Sequence, residues 1–326
     1  MSLLEIRNLT LHYGTTKGMV QAVDKVSFSL DKGESVGLVG ESGCGKSSIA
    51  MAIMKLMPPN AVIKGGEILF KGENILLKDD EEIRGIRWRE ISMVFQAAMN
   101  ALNPVISVGD QIIEAIQAHN EMSESEAWEK VKELYTLVGL DPGRGKSYPH
   151  EYSGGMKQRA IIAMSLACSP DLIIADEPTT ALDVIMQDQI IQEIVALQDS
   201  SDMAMIYISH DISVIAETCG KTGVMYAGKI VEYADTDSLF YDTLHPYTKA
   251  LLSSYPSIKG EVKRLNPIPG EPPNLLDPPK GCRFYPRCPK KKEICKSQEP
   301  EYIEVKKDHF VACHLVKRAK GGGRAR

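Results

Sequence analysis

The sequence predicts an α/β protein, and three observations indicate this class. Two apolar runs, at residues 172–175 and 204–208, each end in polar residues, as interior parallel strands do. Between them lies QDQIIQEIVALQ, whose periodicity predicts a helix that covers one face of a sheet. A third buried-strand pattern, ESVGLVG, runs through a glycine-rich turn into the helical pattern KSSIAMAIMKLM.

The remaining elements follow along the chain. LLEIRNL and VSFSL alternate in polarity and predict strands in the first 35 residues. Pro58 and Pro59 are expected to end the helix over 46–57, and 66–76 predicts a short strand and turn. The region from Gln96 to Gln158 is helical in character. Ser123 and Glu126 form a capping box there, and apolar residues follow at helical spacing: Val131, Leu134, Tyr135 and Val138.

Length and charge indicate two modules. The chain has 326 residues, 43% of them hydrophobic and 25% charged, which is ordinary for a globular protein of about two domains. The net charge of −5 argues against nucleic-acid binding. Residues 1–255 carry a net charge of −14, whereas residues 256–326 carry +9. We therefore expect a boundary near residue 255, where a proline-rich linker leads into a basic, cysteine-containing segment.

No run of residues is apolar enough to predict a membrane span. Glu5 and Arg7 interrupt the N-terminal stretch in which a signal peptide needs an apolar core. The sequence therefore predicts a cytoplasmic protein, whose cysteines are thiols or metal ligands rather than disulfides.

Residues 40–47, GESGCGKS, match the phosphate-binding loop G-x-x-x-x-G-K-S/T. The glycines let backbone N–H groups turn toward phosphates beside the positive end of the following helix. Lys46 is predicted to bind the β- and γ-phosphates, and the Ser47 hydroxyl to ligate Mg²⁺. The residues predicted to contact the nucleotide in this segment are Gly40, Ser42, Gly43, Cys44, Gly45, Lys46, Ser47 and Ser48.

Two further motifs complete an ATPase pattern. Asp176 and Glu177 end a buried strand; Asp176 is predicted to hold Mg²⁺ and Glu177 to orient or deprotonate the attacking water. Ser153, Gly154 and Gly155 open a helix, which makes a second anion-binding arrangement. A single bound nucleotide does not need two anion-binding sites in one chain. Two nucleotides that each bind between the two subunits of a dimer do need both sites.

Over nearly all of residues 1–255 the sequence resembles ATP-binding cassette ATPases. The resemblance rests on the phosphate loop, Gln96, the signature at 152–156, Asp176-Glu177, Ala181-Leu182-Asp183 and His210, in that order. It implies a P-loop core with an antiparallel β subdomain and a helical subdomain at about 97–158. The domains expected are a nucleotide-binding domain over 1–255 and a small Cys-rich module over 256–326.

The same resemblance implies roles for individual residues. Ser153 and Gly155 face the γ-phosphate of ATP held by the opposite subunit, and Asp183 lies at the dimer seam. Gln96 senses Mg²⁺ and the membrane partner. His210 contacts the γ-phosphate and keeps Glu177 and water aligned. Tyr13 stacks on adenine, with simple packing as the alternative.

Further motifs are similar to the ATPase subunits of dipeptide and oligopeptide importers. They are the signature SGGM, Leu102-Asn103-Pro104, His245-Pro246-Tyr247-Thr248 and the proline-rich cysteine tail. That branch implies a motor that dimerises head-to-tail around two Mg·ATP at the cytoplasmic face of the membrane. Its expected partners are two permeases, a second ATPase or another copy of itself, and, indirectly, an extracytoplasmic peptide-binding protein.

Two alternatives remain at this point. The same motor could serve nickel or oligosaccharide import. A soluble cassette ATPase of DNA repair or of the ribosome is the other alternative. Against repair ATPases, only 105 residues without heptads separate Ser47 from Ser153, too few for a long coiled coil.

Four tail cysteines, Cys282, Cys288, Cys295 and Cys313, suggest a metal site in a cytoplasmic protein. They lack the paired C-x2-C spacing of common zinc modules. Resemblance to the peptide-importer branch implies a 4Fe–4S cluster, structural or redox-regulatory; zinc, free thiols and a disulfide stay open. The nearby basic residues Arg287 and Lys290–Lys292 are interpreted as a solvated face in preference to a lipid contact.

Overall fold

The structure is a computed structural model that describes residues 2–96, 100–178, 184–200, 202–254 and 268–317. The chain divides into two compact units. The first unit comprises Met1–Leu30, Ser35–Leu76 and Ile208–Arg326, and the second comprises Asp31–Glu34 and Leu77–Tyr207. The chain therefore starts in the first unit, enters the second unit twice, at residues 31–34 and 77–207, and returns to the first unit each time.

Strands and helices alternate through much of the chain, as an α/β protein requires. The strands are β1 (Leu4–Thr15), β2 (Gly18–Leu30), β3 (Ser35–Val39), β4 (Ala61–Phe70), β5 (Glu73–Asn74), β6 (Ile91–Val94), β7 (Leu172–Asp176), β8 (Ala204–Ser209), β9 (Lys221–Tyr226), β10 (Lys229–Asp235), β11 (Tyr302–Lys306) and β12 (His309–Ala312). The helices are α1 (Lys46–Ile53), α2 (Asp80–Ile86), α3 (Val108–His119), α4 (Glu124–Leu137), α5 (Gly154–Ser165), α6 (Val184–Ser200), α7 (Ile212–Thr218), α8 (Thr236–Tyr241), α9 (Pro246–Ser253) and α10 (Ile294–Ser297).

The first unit contains two sets of paired strands. One is an antiparallel sheet of order β2-β1-β4-β5. In the other, of order β11-β12-β10-β9-β3, β9 pairs parallel with β3 and the remaining neighbours pair antiparallel. Because β12 pairs with β10, the end of the described chain extends a sheet of this unit. The predicted Cys-rich tail is therefore not shown as a module of its own.

The alternation predicted for β1 holds at Leu4 and Ile6, which are buried, but breaks at Asn8. Asn8 adopts a left-handed conformation with φ 48°, and the register with β2 shifts between Ile6 and Leu9. Gly66 of β4 accommodates this bulge, since a Cβ there would lie 2.5 Å from the Asn8 carbonyl oxygen. The bulge returns Leu9 to the buried face of the sheet.

Helix α1 ends earlier than the prolines predict. Lys55 has φ 50°, the left-handed conformation typical of the residue after a helix C-cap. The Leu56 N–H donates to the Met51 carbonyl at 2.9 Å, and the Lys55 N–H to the Ala52 carbonyl at 3.1 Å. This is the Schellman pattern, so the helix terminates through its own backbone hydrogen bonds before Pro58.

The second unit combines parallel strands with helices. β6 pairs parallel with β7, and the strand order is β8-β7-β6, with β8 belonging to this unit as far as Tyr207. Both β7 and β8 are fully buried, as their apolar runs predict. The capping box at the start of α4 is confirmed: the Ser123 N–H donates to Glu126 Oε2 at 2.9 Å, and Ser123 Oγ accepts from the Glu126 N–H. Val131, Leu134 and Tyr135 are buried along that helix. Within the described ranges, no helix is long and apolar enough to cross a membrane.

A buried carboxylate links three elements of the first unit. Glu232 of β10 is fully buried and accepts hydrogen bonds from the backbone N–H groups of Leu244 and His245 at 2.7 and 3.0 Å. It also contacts His309 Nε2 of β12 at 2.9 Å. His245 Nδ1 accepts from the Tyr247 N–H and caps α9. Burial lowers the pKa of His245 to about 4, although the charge of Glu232 opposes this shift.

We expect the free energy of unfolding to fall as the pH is lowered from 6.5 toward 4. Histidine in the unfolded chain has its ordinary pKa of about 6.5, whereas buried His245 has a pKa of about 4. Between these two pH values the unfolded chain binds a proton that the folded chain does not bind. One such group contributes a slope of about 1.4 kcal/mol per pH unit in this window. His245→Asn keeps a capping acceptor but removes the titration, so its slope should be shallower.

Urea unfolding of the full chain at pH 5 and pH 7 measures this slope. His150 is exposed, so His150→Asn is the matched control and should keep the slope of the unchanged chain. A His245→Asn variant with the same pH dependence as the unchanged chain would contradict the assignment.

Candidate functional site

The phosphate loop at 40–47 lies in the first unit, between buried β3 and the start of α1. Gly40 has φ 150°, and a Cβ there would lie 2.1 Å from the Met225 carbonyl oxygen. Gly45 has φ 107°, and its Cβ would lie 2.3 Å from the Ala22 carbonyl oxygen. Only glycine fits both positions, because each combines a left-handed backbone with a close approach of a neighbouring strand.

Lys46 is buried inside this loop, with 6% of its surface exposed. Its ammonium donates to the Gly40 carbonyl at 2.7 Å and to the Glu41 carbonyl at 3.3 Å, and it lies 3.7 Å from Cys44 Sγ. Backbone carbonyl oxygens of the loop therefore hold the positive charge of Lys46 within the loop. An anion bound in the loop would accept a charge-assisted hydrogen bond from this ammonium, which is already held in position.

The other loop residues divide by exposure. Ser42, Gly43 and Ser47 are exposed, as access for a ligand requires. Cys44 is buried, burial raises the pKa of its thiol, and its backbone N–H donates to the Glu41 carbonyl at 3.2 Å. Cys44 is therefore a neutral packing residue within the turn.

Tyr13 lies on β1 in the same unit, and its hydroxyl donates to Ser48 Oγ at 3.1 Å. Its side chain is partly exposed. Tyr13 is thus tied to the residue that follows Ser47, at the start of α1.

The paired carboxylates lie in the second unit, at the end of β7. Asp176 is buried, with 4% of its surface exposed, and Glu177 is partly exposed. Glu177 has φ 48°, an uncommon conformation for a residue with a side chain. Strained backbone of this kind persists where the surrounding structure enforces it, and often at functional sites.

Gln96 contacts Glu177 although the two lie 81 positions apart in the sequence. Gln96 Nε2 donates to Glu177 Oε2 at 3.0 Å. The parallel register aligns Val94 of β6 with Ala175 of β7, so residues two positions further along each strand come side by side. The carboxylate of Glu177 is therefore oriented by an amide, as a base acting on water requires.

The signature residues also lie in the second unit, where they open α5. Ser153 is the N-cap, and its Oγ accepts from the Met156 N–H at 3.3 Å. Ser153 and Gly154 are exposed, whereas Gly155 is buried. An exposed hydroxyl at the N-terminus of a 12-residue helix is suited to binding an anion, because the helix dipole is positive there.

Comparison with known proteins identifies the family. The family model described as ABC transporter matches residues 23–180. The dipeptide transport ATP-binding protein DppD of Bacillus subtilis is 47% identical over 96% of this chain and 94% of that protein. The chain belongs to the ABC transporter ATPases.

Further matches agree with this assignment. A model described as oligopeptide/dipeptide transporter, C-terminal region, matches residues 231–295 of this ABC ATPase. The oligopeptide transport ATP-binding protein OppD of Escherichia coli is 46% identical over 92% of this chain and 89% of that protein. A dimeric ATP-binding cassette solved with ADP and Pi in a post-hydrolysis state has a TM-score of 0.64 at 27% identity, over 72% of this chain and 98% of that one. The predicted P-loop cassette fold and ATPase class are confirmed.

The structure explains one departure from the commoner Leu-Ser-Gly-Gly-Gln signature of ABC ATPases. Tyr152 takes the place of the leucine and is buried, with 5% exposed. Its hydroxyl donates to the Arg144 carbonyl at 2.7 Å and lies 3.0 Å from the Tyr135 hydroxyl. The hydroxyl that tyrosine adds is therefore hydrogen-bonded to α4 and to the segment before the signature.

Two predicted site residues remain to be located. His210 follows β8 and is exposed. It belongs to the first unit. Asp183 lies outside the described residues.

The predicted iron–sulfur site at Cys282, Cys288, Cys295 and Cys313 is wrong. Across the described ranges, no three His, Cys, Asp or Glu side chains form a group that could hold a metal ion. All four cysteines are free. Burial raises the pKa of Cys282 to about 11 and also raises the pKa of Cys288 and of Cys313.

Sequence reasoning also misinterpreted Arg287. Lys290–Lys292 are exposed, as a solvated face requires, but Arg287 is buried, with 7% exposed. Its guanidinium contacts the Glu41 carboxylate of the phosphate loop at 2.7 and 2.9 Å. The sequence offered one sign of this contact: Glu41 is an acidic residue inside a loop predicted to bind phosphates, so a basic partner for it could have been expected.

Proposed function

We propose that this chain is the ATP-hydrolysing motor subunit of an ABC importer for dipeptides or oligopeptides. Two observations support the cargo class: the C-terminal region model that matches residues 231–295, and the relatives named as dipeptide and oligopeptide transport ATP-binding proteins. The observation that carries the motor function is the hydrogen bond from Gln96 to Glu177, which orients a carboxylate to accept the proton of the water that attacks ATP.

In this proposal the phosphate loop and Lys46 bind the phosphates of ATP. Glu177 accepts the proton of the attacking water, and Gln96 holds its carboxylate in position. The donor set also suits Mg²⁺, since Ser47 offers a hydroxyl and buried Asp176 a carboxylate, with the Gln96 amide oxygen as a third oxygen ligand. When bound, the ion would neutralise charge on the phosphates.

We further propose a head-to-tail dimer around two Mg·ATP, formed with a second ATPase subunit or with another copy. The signature residues Ser153–Gly155 of one subunit contact the γ-phosphate bound by the other, and Asp183 lies at the seam. His210 contacts the γ-phosphate, and Tyr13 stacks on adenine. The exposed N-terminus of α5 and the match to a dimeric cassette support this arrangement.

Residues 1–255 are proposed as the nucleotide-binding domain, with a helical subdomain at about 97–158, and residues 256–326 as a C-terminal region. The motor would act at the cytoplasmic face of the membrane, driving two permeases that receive cargo from an extracytoplasmic peptide-binding protein. Helices α3, α4 and α5 support the helical subdomain.

The cargo is tested with the chain assembled with its permeases and binding protein in proteoliposomes. We expect the rate of ATP hydrolysis to rise when peptide-loaded binding protein is added, and labelled peptide to enter the lumen. Peptides of two to six residues, nickel and an oligosaccharide are compared at equal concentration. Uptake of nickel or of the oligosaccharide without peptide uptake would replace the proposed cargo and leave the ATPase assignment intact.

A further inference from the structure

The phosphate loop is bound from the far end of the chain by a two-point ion pair. Arg287 Nη1 lies 2.7 Å from Glu41 Oε2, and Arg287 Nη2 lies 2.9 Å from Glu41 Oε1. Both residues belong to the first unit, and 246 positions separate them in the sequence. This bidentate geometry is the strongest that a guanidinium and a carboxylate form, and lysine cannot reproduce it.

The Arg287 side chain is almost fully enclosed and its donors are used. Nε donates to the Pro269 carbonyl at 2.8 Å, and Nη2 also donates to the Ile268 carbonyl at 3.3 Å. Nη1 also donates to the Tyr226 hydroxyl at 3.3 Å. The hydrogen bonds to Glu41 raise the pKa of the guanidinium, so its charge is permanent. These hydrogen bonds hold the Arg287 side chain in one position. It extends from the C-terminal segment, residues 268–317, to the phosphate loop.

The backbone of Glu41 is held as well as its side chain. The Glu41 N–H donates to the Tyr247 hydroxyl at 3.1 Å. The Tyr247 ring packs against Tyr226 and Phe284 at centroid distances of 4.6 and 5.3 Å. The ring cluster therefore fixes the loop residue from the side of α9, while Arg287 fixes it from the C-terminal segment.

The position of Glu41 in turn determines where the ammonium of Lys46 lies. The Gly40 and Glu41 carbonyls accept from Lys46 Nζ at 2.7 and 3.3 Å. The Glu41 carboxylate, left without Arg287, would also place a negative charge beside a site for a polyanion. Arg287 thus acts on the loop in two ways, by fixing its shape and by neutralising its charge.

We propose that Arg287 is a positioning residue for ATP binding. Through Glu41 it holds the phosphate loop in the shape that binds the nucleotide and cancels the one negative side chain of the loop. The C-terminal segment thereby sets the affinity of this ABC ATPase for ATP. The inference rests on the proposed nucleotide site and is independent of the cargo.

The test measures the Kd of Mg·ATP and Mg·ADP, together with KM and kcat for hydrolysis, on the full chain. Arg287→Met should raise the Kd and KM for ATP on the order of 10-fold, because the remaining carboxylate repels the phosphates. The loss should be smaller for ADP, which carries less charge, and kcat at saturating ATP should change less than about 3-fold. Arg287→Lys should recover part of the affinity, since it restores the charge without the bidentate geometry.

A double-mutant cycle separates this role from a loss of folding. In Glu41→Gln the unpaired carboxylate is gone, so adding Arg287→Met should raise the Kd for ATP much less than in the unchanged chain. Arg283→Met is the matched control, since it breaks another buried ion pair of the same segment, with Asp24 at 2.5 Å. It should lower stability without the ATP-selective loss.

Three outcomes would overturn the proposal. They are an unchanged Kd for ATP in Arg287→Met, equal losses for ATP and ADP, and additive effects in the cycle with Glu41→Gln. If Arg287→Met does not fold, the comparison of Arg287→Lys in the two backgrounds at Glu41 decides between the same outcomes. ATP binding by the unchanged chain, measured alongside, tests the proposed nucleotide site separately.

Discussion

The Glu177→Gln variant is expected to hydrolyse ATP at least about 100-fold more slowly than the unchanged chain, because an amide cannot accept the proton of the attacking water. Binding of ATP should persist, since the substitution preserves the size of the side chain and leaves the phosphate loop intact. Hydrolysis is what reopens the proposed dimer, so the variant should accumulate as an ATP-bound dimer. Phosphate release measures the rate, and light scattering after size exclusion with Mg·ATP measures the dimer.

Glu133→Gln is the matched control for this experiment. Glu133 lies on α4, 70% exposed, and pairs only loosely with Lys130 at 3.3 Å. The same chemical change there should leave turnover within about 2-fold, as surface substitutions usually do. Normal turnover in Glu177→Gln would show that another group accepts the proton.

The Lys46→Gln variant is expected to bind ATP about 100-fold more weakly than the unchanged chain. The buried ammonium makes charge-assisted hydrogen bonds to bound phosphates, and removing such bonds costs about 3 kcal/mol. Glutamine can still donate to the Gly40 carbonyl, so the loop and the fold should survive. Isothermal titration of the full chain with Mg·ATP measures the Kd.

Lys130→Gln serves as the control for this second variant. Lys130 lies on α4 and is 34% exposed, so its substitution removes the same charge at a residue that is not part of the proposed site. Its Kd for ATP should equal that of the unchanged chain. If Lys46→Gln binds ATP as tightly as the unchanged chain does, the assignment of the phosphate loop to the nucleotide site is wrong.

The iron–sulfur prediction for the tail cysteines failed because it rested on spacing along the chain. Four cysteines within 32 residues suggested a cluster, but a metal site depends on whether the side chains converge in space. Among the described residues, no three His, Cys, Asp or Glu side chains form a group that could hold a metal ion. The spacing of cysteines along the chain does not contain that information.

The sequence alone determined the features whose causes are local. The phosphate loop could be predicted because its glycines adopt backbone conformations that other residues avoid, and because a lysine and a serine follow at fixed spacing. The buried strands β7 and β8 could be predicted from continuous apolar runs. The start of α4 could be predicted from the capping pair Ser123 and Glu126.

Only the tertiary structure decided which distant residues meet. The contact between Gln96 and Glu177 depends on the parallel register of β6 and β7, and the ion pair of Glu41 with Arg287 depends on the return of the chain to the first unit. Local sequence patterns determine the type of an element and the face that it buries. They do not determine its neighbours, because register and topology follow from packing between segments that lie far apart in the chain.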